Sequence, residues 1–231
     1  MQGRIVLITG GAKRVGAAIC RRLHAAGANL MLHYRASAGE ARLLQAELNG
    51  VRADSVALIQ ADLLDLAQAA GDGRADGADA SAGSTRSSTT RRRSSRRRSA
   101  RSRAEAWDDL IGTNLRAPLF LAQAAAPALQ KAQGAIVNIA DIHAERPLKN
   151  FVVYSIAKAG LVGMTRSLAR ELAPEVRVNA VAPGPDPLAR RRVVRRAVAA
   201  ADHLAHAAEA RRRARRHREG RAFPARRRAR T

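Results

Sequence analysis

The chain has 231 residues, a formal net charge of +23, and 46% hydrophobic but only 3% aromatic residues. That length suits one α/β domain with a sizeable core. The scarce aromatics give no base-stacking platform, no apolar run reaches the length of a membrane span, and the single cysteine, Cys20, excludes an internal disulfide and any multi-cysteine metal site. Two segments, residues 71–103 and 184–231, hold 26 of the 42 Lys and Arg and 7 of the 19 Asp and Glu. The remainder has the charge balance of an ordinary cytosolic enzyme. The N-terminus runs straight into an apolar strand too short for a signal peptide, so a cytoplasmic protein is expected, with no membrane partner.

In chain order, Ile5-Val6-Leu7-Ile8 reads as a buried strand and Thr9 to Gly16 as a turn. Val15, Ile19, Leu23 and Ala26 recur at helical spacing up to Gly27. Leu30-Met31-Leu32 is a second strand, residues 38–49 a helix, and Val56-Ala57-Leu58-Ile59 a third strand closing at Asp62. This β-α-β-α-β order predicts a Rossmann-type α/β fold with a doubly wound parallel sheet. From about Ala70 to Arg103 the apolar period is lost. It resumes at Trp107-Asp108-Asp109-Leu110 as a long helix through Leu129. Ile136-Val137-Asn138-Ile139 is a strand, 152–172 a helix ending before Pro174, and Val176 to Val181 a strand ending at Pro183-Gly184.

Three features carry chemistry. Tyr154 and Lys158 are four apart on a helix and share a face. A lysine cation beside a phenol favours its ionised form, which suits a proton donor to a group receiving a hydride. Asp141 lies thirteen residues before Tyr154, where an apolar strand ends; it is a candidate catalytic group or a simple cap. Thr9-Gly10-Gly11-Ala12-Lys13-Arg14-Val15-Gly16 joins a strand to a helix whose N-terminal N–H groups suit a pyrophosphate. Gly10 permits the turn and Gly16 the close approach of helix to strand. Lys13, Arg14, Arg35 and Ser37, with Tyr34 at the end of the second strand, suit a 2′-phosphate, so NADPH is favoured over NADH. Asp62, with Leu63 beside it, either receives the adenine amine or caps a turn. Asn114 is either a helix-interior hydrogen bonder or part of the site. The six histidines, His143 among them, show no metal-ligand spacing and are set aside as non-functional; no metal is expected.

These residues resemble the short-chain dehydrogenase/reductase family, and within it the pteridine reductase branch. The family turn is Thr-Gly-x-x-x-Gly-x-Gly, and Arg14 stands at its middle glycine as in that branch. Leu32-His33-Tyr34, and Asp141 where most of the family has serine, point the same way. The resemblance covers residues 4–69 and 104–184. It implies a homotetrameric reductase that uses NADPH to reduce a C=N bond of a dihydropterin or dihydrofolate. Tyr154 would supply the proton, and Lys158 would hold the nicotinamide ribose. Asp141 would orient substrate and Tyr154. Asn114 would keep the helix and its water relay in place. Gly10, Lys13, Arg14, Val15 and Gly16 would surround phosphate, and Pro183 and Gly184 would edge the nicotinamide.

The chain departs from the family in two places. The family's fourth strand should fall near residues 85–92, where this chain reads Arg86-Ser87-Ser88-Thr89-Thr90-Arg91. A family-like strand peptide, written in GC-rich codons and read from its second base, gives Ser81 to Ser102 as they stand. The tail behaves likewise one base later. Residues from about 70 to 103 and from about 185 to 231 are therefore expected to be out-of-frame translation. Both segments would then be disordered, with the central strand missing and activity impaired. Two other readings remain: a 3-oxoacyl-type carbonyl reductase of the same family, and a basic protein binding nucleic acid non-specifically through Arg91-Arg92-Arg93 and Arg211-Arg212-Arg213. No recognition module accompanies those runs, so no specific nucleic-acid partner is expected.

Overall fold

A computed structural model of the chain describes residues 1–65, 80–85 and 103–183. Its centre is a six-stranded parallel sheet in the order β3-β2-β1-β4-β5-β6. The strands are β1 (Ile5–Thr9), β2 (Asn29–Tyr34), β3 (Val56–Gln60), β4 (Ala80–Thr85), β5 (Ala135–Ile139) and β6 (Arg177–Val181). The chain winds outward from β1 to β3, then restarts on the other side of β1. That reversal, between β1 and β4, is where doubly wound sheets open a crevice for a ligand.

Side-chain chemistry explains the strands. Ile8, Leu30, Leu32 and Ile139 are almost completely buried. Each such side chain contributes about 1.5–3 kcal/mol relative to exposure. Helices α1 (Arg14–Ala25) and α2 (Ala38–Val51) close the β1–β2–β3 half through Ile19, Cys20, Leu23, Leu44 and Leu48. The thiol of Cys20 is fully buried, and burial pushes its pKa up to about 12. Helix α3 (Ala104–Ile111) continues through a π-helical turn, Gly112–Arg116, into α4 (Ala117–Ala132). Helix α5 spans Val152–Glu171. Leu129 of α4, Leu168 of α5, and Ile136, Val176 and Val178 beside them form a second apolar cluster.

One expectation is corrected. The central strand, expected to be missing, is present as β4, with Ile5 opposite Ala80, Leu7 opposite Ala82, and Thr85 opposite Asn138 of β5. Its sequence, Ala-Ser-Ala-Gly-Ser-Thr, has no apolar alternation to read. A parallel ladder is made of backbone N–H and C=O groups, and the inner edges of β1 and β5 demand partners whatever the side chains are. Residues 70–79 and 86–102 and the tail 185–231 lie outside the described residues. So do the arginine runs at 91–93 and 211–213.

Candidate functional site

The carboxyl-terminal ends of β1, β2, β3, β5 and β6 each contribute a candidate residue. The turn after β1 carries Gly10, at φ +61, and leads into α1 with Lys13 as its N-cap. Gly16 sits so close to this turn that a Cβ there would lie 2.4 Å from the Gly10 carbonyl oxygen and 2.9 Å from Gly11 Cα. That packing holds the free N–H groups of the α1 terminus over the turn, the arrangement that receives a phosphate. Val15 is buried beneath it. Arg14 has φ +52, a left-handed conformation carried by a non-glycine residue. Its side chain therefore stands where the family has glycine, at a backbone cost of about 1–2 kcal/mol.

The ends of β2 and β3 complete this half. Tyr34 donates from its hydroxyl to Gln60 Oε1 at 3.3 Å, and Gln60 Nε2 donates to the Arg35 carbonyl at 3.1 Å. Arg35 Nη1 is 3.7 Å from Asp62 Oδ2, and Lys13 Nζ is 2.5 Å from Glu40 Oε1. Both pairs are about half exposed, so water screens them and either cation can exchange its carboxylate for a phosphate at little cost. Ser37 caps α2 without a side-chain bond. Asp62 accepts the Leu64 N–H through Oδ1 at 3.0 Å, so it caps its turn, with Leu63 buried beside it.

Histidine 33, set aside on sequence, ties the three strand ends together. Gly10 N–H donates to its Nδ1 at 3.3 Å, and Nε2 lies 3.0 Å from the Ala61 carbonyl. A carbonyl only accepts, so the neutral ring with its proton on Nε2 satisfies both contacts. Burial pushes the pKa of His33 down, which suits that neutral form. Its place at the inner end of β2, beside the glycine turn, was the available signal.

The second half lies at β5 and α5. Asp141 follows β5 and caps a 3₁₀ turn, Ile142–Ala144, where its Oδ1 accepts the His143 N–H at 3.0 Å. Its other oxygen, Oδ2, accepts the Tyr154 hydroxyl at 2.7 Å. Asp141 is thus a cap through one oxygen and a partner of Tyr154 through the other. Lys158 Nζ sits 5.8 Å from the Tyr154 ring centroid and donates to the Ile139 carbonyl at 3.0 Å. The lysine is 4% exposed, and its ammonium is held by such contacts rather than by water. Asn114 lies in the π-helical turn, a distortion found often at functional sites. Its Nδ2 donates to the Leu110 carbonyl at 3.0 Å and to Thr113 Oγ1 at 3.1 Å. Pro183 closes the edge, its carbonyl accepting the Ile142 N–H at 3.4 Å. Gly184 lies outside the described residues.

The arrangement thus pairs a glycine turn flanked by basic side chains at β1–β2–β3 with a phenol, carboxylate and ammonium at β5–α5. Among the described residues no cluster of His, Cys, Asp and Glu could hold a metal ion. No helix among them is long and apolar enough to cross a membrane. A depression of about 440 Å³ between Gln2, His24, Gly27 and Arg52 lies at the opposite edge, where the strands begin, and none of the candidate residues lines it.

A family described as enoyl-(acyl carrier protein) reductase matches residues 10–222. Pteridine reductase 1 of Leishmania tarentolae is 33% identical over 222 aligned residues, covering 78% of this chain and 75% of that protein. A probable galactose dehydrogenase of Rhizobium meliloti is 35% identical, over 80% of this chain and 72% of its own length. A 3-oxoacyl-(acyl-carrier-protein) reductase of Staphylococcus aureus is 32% identical, over 77% and 72%. The chain belongs to the short-chain dehydrogenase/reductase family, a family of oxidoreductases, and resembles pteridine reductase within it.

Proposed function

We propose that the protein is an NADPH-dependent reductase that acts on a C=N bond of a dihydropterin or dihydrofolate. The observation that carries this reading is the hydrogen bond from Tyr154 to Asp141, 2.7 Å long, with Lys158 beneath the phenol. A carboxylate only accepts hydrogen bonds, and it repels a keto oxygen. It suits a substrate that presents ring N–H and exocyclic amine groups, as a pterin does and a 3-oxoacyl chain does not. A serine, common at this position in the family, would suit the keto oxygen instead.

The nicotinamide cofactor supplies hydride when it is bound. The chain's residues fit it: the Gly10–Gly16 approach, too close for a Cβ, seats the start of α1 against the turn with its N–H groups facing a phosphate. Lys13, Arg14, Arg35 and Ser37 would hold the 2′-phosphate, with Val15, Tyr34, Asp62 and Leu63 lining the adenosine side and Pro183 and Gly184 the nicotinamide side. No acid stands among His33, Tyr34, Arg35, Ala36 and Ser37 to receive a ribose hydroxyl, which favours the phosphorylated cofactor. Tyr154 would protonate the substrate atom that becomes basic. Lys158 would stabilise the phenolate left behind and hold the ribose. Asn114 would keep the helix end open to water. By the same resemblance the active form would be a homotetramer.

The experiment is NADPH oxidation by the full chain with dihydrobiopterin, dihydrofolate and acetoacetyl thioester in parallel. Turnover of the pterin or folate with none of the thioester is expected. The reverse preference would identify a 3-oxoacyl-type reductase and overturn the substrate assignment.

A further inference from the structure

His143 stands where Asp141 meets solvent. Its Nδ1 is 3.0 Å from the Arg146 carbonyl, which can only accept, so Nδ1 carries a proton. The other ring nitrogen, Nε2, is therefore the position at which a proton comes and goes. It lies 4.0 Å from Asp141 Oδ1, and the two side chains are 23% and 24% exposed. Asp141 divides its oxygens: Oδ1 faces His143, and Oδ2 accepts from Tyr154. Besides Asp141, the charged groups along this turn are Glu145, its C-cap, and Arg146; from α5, the helix packed against it, come Tyr154 and Lys158. His143, Asp141 and Tyr154 thus form a chain of three groups from solvent to the phenol, with Lys158 against the ring beyond them.

We infer that His143 is the solvent end of a proton relay that recharges Tyr154 through Asp141. This rests on the reductase reading given above. Tyr154 gives its proton to the substrate atom that becomes basic, and a phenolate remains. The Asp141 carboxylate takes a proton from Nε2 of the His143 imidazolium, the carboxyl so formed turns and gives its proton to the phenolate, and the neutral ring takes one from water or buffer acid. The net result is one proton moved from solvent to substrate, with every relay group restored. The 4.0 Å gap from Nε2 to Asp141 closes by a swing of the ring about its Arg146 bond, or through one bridging water. His143 touches neither substrate nor cofactor in this scheme and acts through Asp141.

The test uses the full-length chain and H143A. NADPH fluorescence quenching first shows that the variant folds and binds cofactor as the wild type does. The expected result is a fall in kcat of at least roughly tenfold, less than the roughly hundredfold or more of a direct proton donor, with KM for NADPH unchanged. Imidazole added to the buffer should restore the rate to H143A and not to Y154F. H143Q, which keeps a donor but cannot carry a proton, should stay slow. An unchanged kcat, or a loss that imidazole does not restore, would overturn the relay. A second measurement needs no turnover: long-range nitrogen NMR should show neutral His143 protonated at Nδ1, and the Nε2–H tautomer would sink the proposal. If the wild type binds NADPH but reduces nothing, the reductase reading fails, and the tautomer still decides the geometry of the relay.

Discussion

Replacing Gly16 with alanine tests the phosphate cradle directly. The new Cβ would lie 2.4 Å from the Gly10 carbonyl oxygen, 2.9 Å from Gly11 Cα and 3.2 Å from the Gly10 carbonyl carbon. All three are backbone atoms, so no side chain can swing away. Ordinary contact begins near 3.4 Å, so the start of α1 must retreat from the turn by about 1 Å. Overpacking of this kind costs about 1–3 kcal/mol of stability. The same retreat carries the N–H groups away from the phosphate, and a misplacement of about 1 Å typically costs on the order of a hundredfold in a positioned interaction. G16A should therefore melt several degrees lower and bind NADPH roughly ten- to a hundredfold more weakly. Thermal melts and NADPH fluorescence titration read the two effects separately. Affinity within twofold of the wild type, in a variant that is otherwise folded, would refute the cradle argument.

Other outcomes follow from the same geometry. R14G should raise the melting temperature by relieving about 1–2 kcal/mol of left-handed strain, yet weaken NADPH binding, so stability and affinity move in opposite directions. D141S keeps a polar partner for Tyr154 but removes the carboxylate; pterin reduction should fall roughly a hundredfold or more while NADPH affinity stays constant, as titration will show. Burial holds the pKa values of both His24 and His33 below their ordinary value near 6.5. The unfolded chain therefore binds more protons in the window just under about pH 6.5; stability is full above it and is lost as pH falls through the folded values. Melts at stepwise lower pH should show this, and H33N should flatten part of the slope. Restoring the family reading frame across residues 70–103 should place Leu and Val in the central strand and raise the melting temperature, each buried side chain adding about 1.5–3 kcal/mol. Mass spectrometry of the purified native protein would show which frame the cell translates.

Periodicity made most of the fold legible. Ile5-Val6-Leu7-Ile8 and Ile136-Val137-Asn138-Ile139 are apolar runs of strand length, and each lies within an observed strand. The helix predicted through Leu129 is interrupted by a π-helical turn at Gly112–Arg116, because a one-residue shift in helical register leaves little trace in a hydrophobic pattern. Strand β4 was illegible for a different reason: its ladder is backbone, and Ala-Ser-Ala-Gly-Ser-Thr has no apolar face to announce it. In the site, Tyr154 and Lys158 were readable because helical spacing fixes their shared face. Asp141 was ambiguous since cap and functional group are the same carboxylate with two oxygens. The two histidines were missed because metal-ligand spacing was the wrong question. His33 meets backbone groups through both ring nitrogens, and His143 meets the Arg146 carbonyl through one and faces Asp141 with the other; such contacts depend on tertiary placement.

The imidazole of His33 joins residues 10, 33 and 61, which are contiguous in space and far apart in the chain. All three belong to the first βαβαβ unit, which is complete before residue 66. On a ribosome this unit emerges before β4, β5 and β6, and its turn can close without waiting for them. Errors or insertions downstream of it would then strike the reacting end of the molecule while leaving the nucleotide-gripping end assembled. Nucleotide affinity and turnover would be separable by where along the gene a lesion falls.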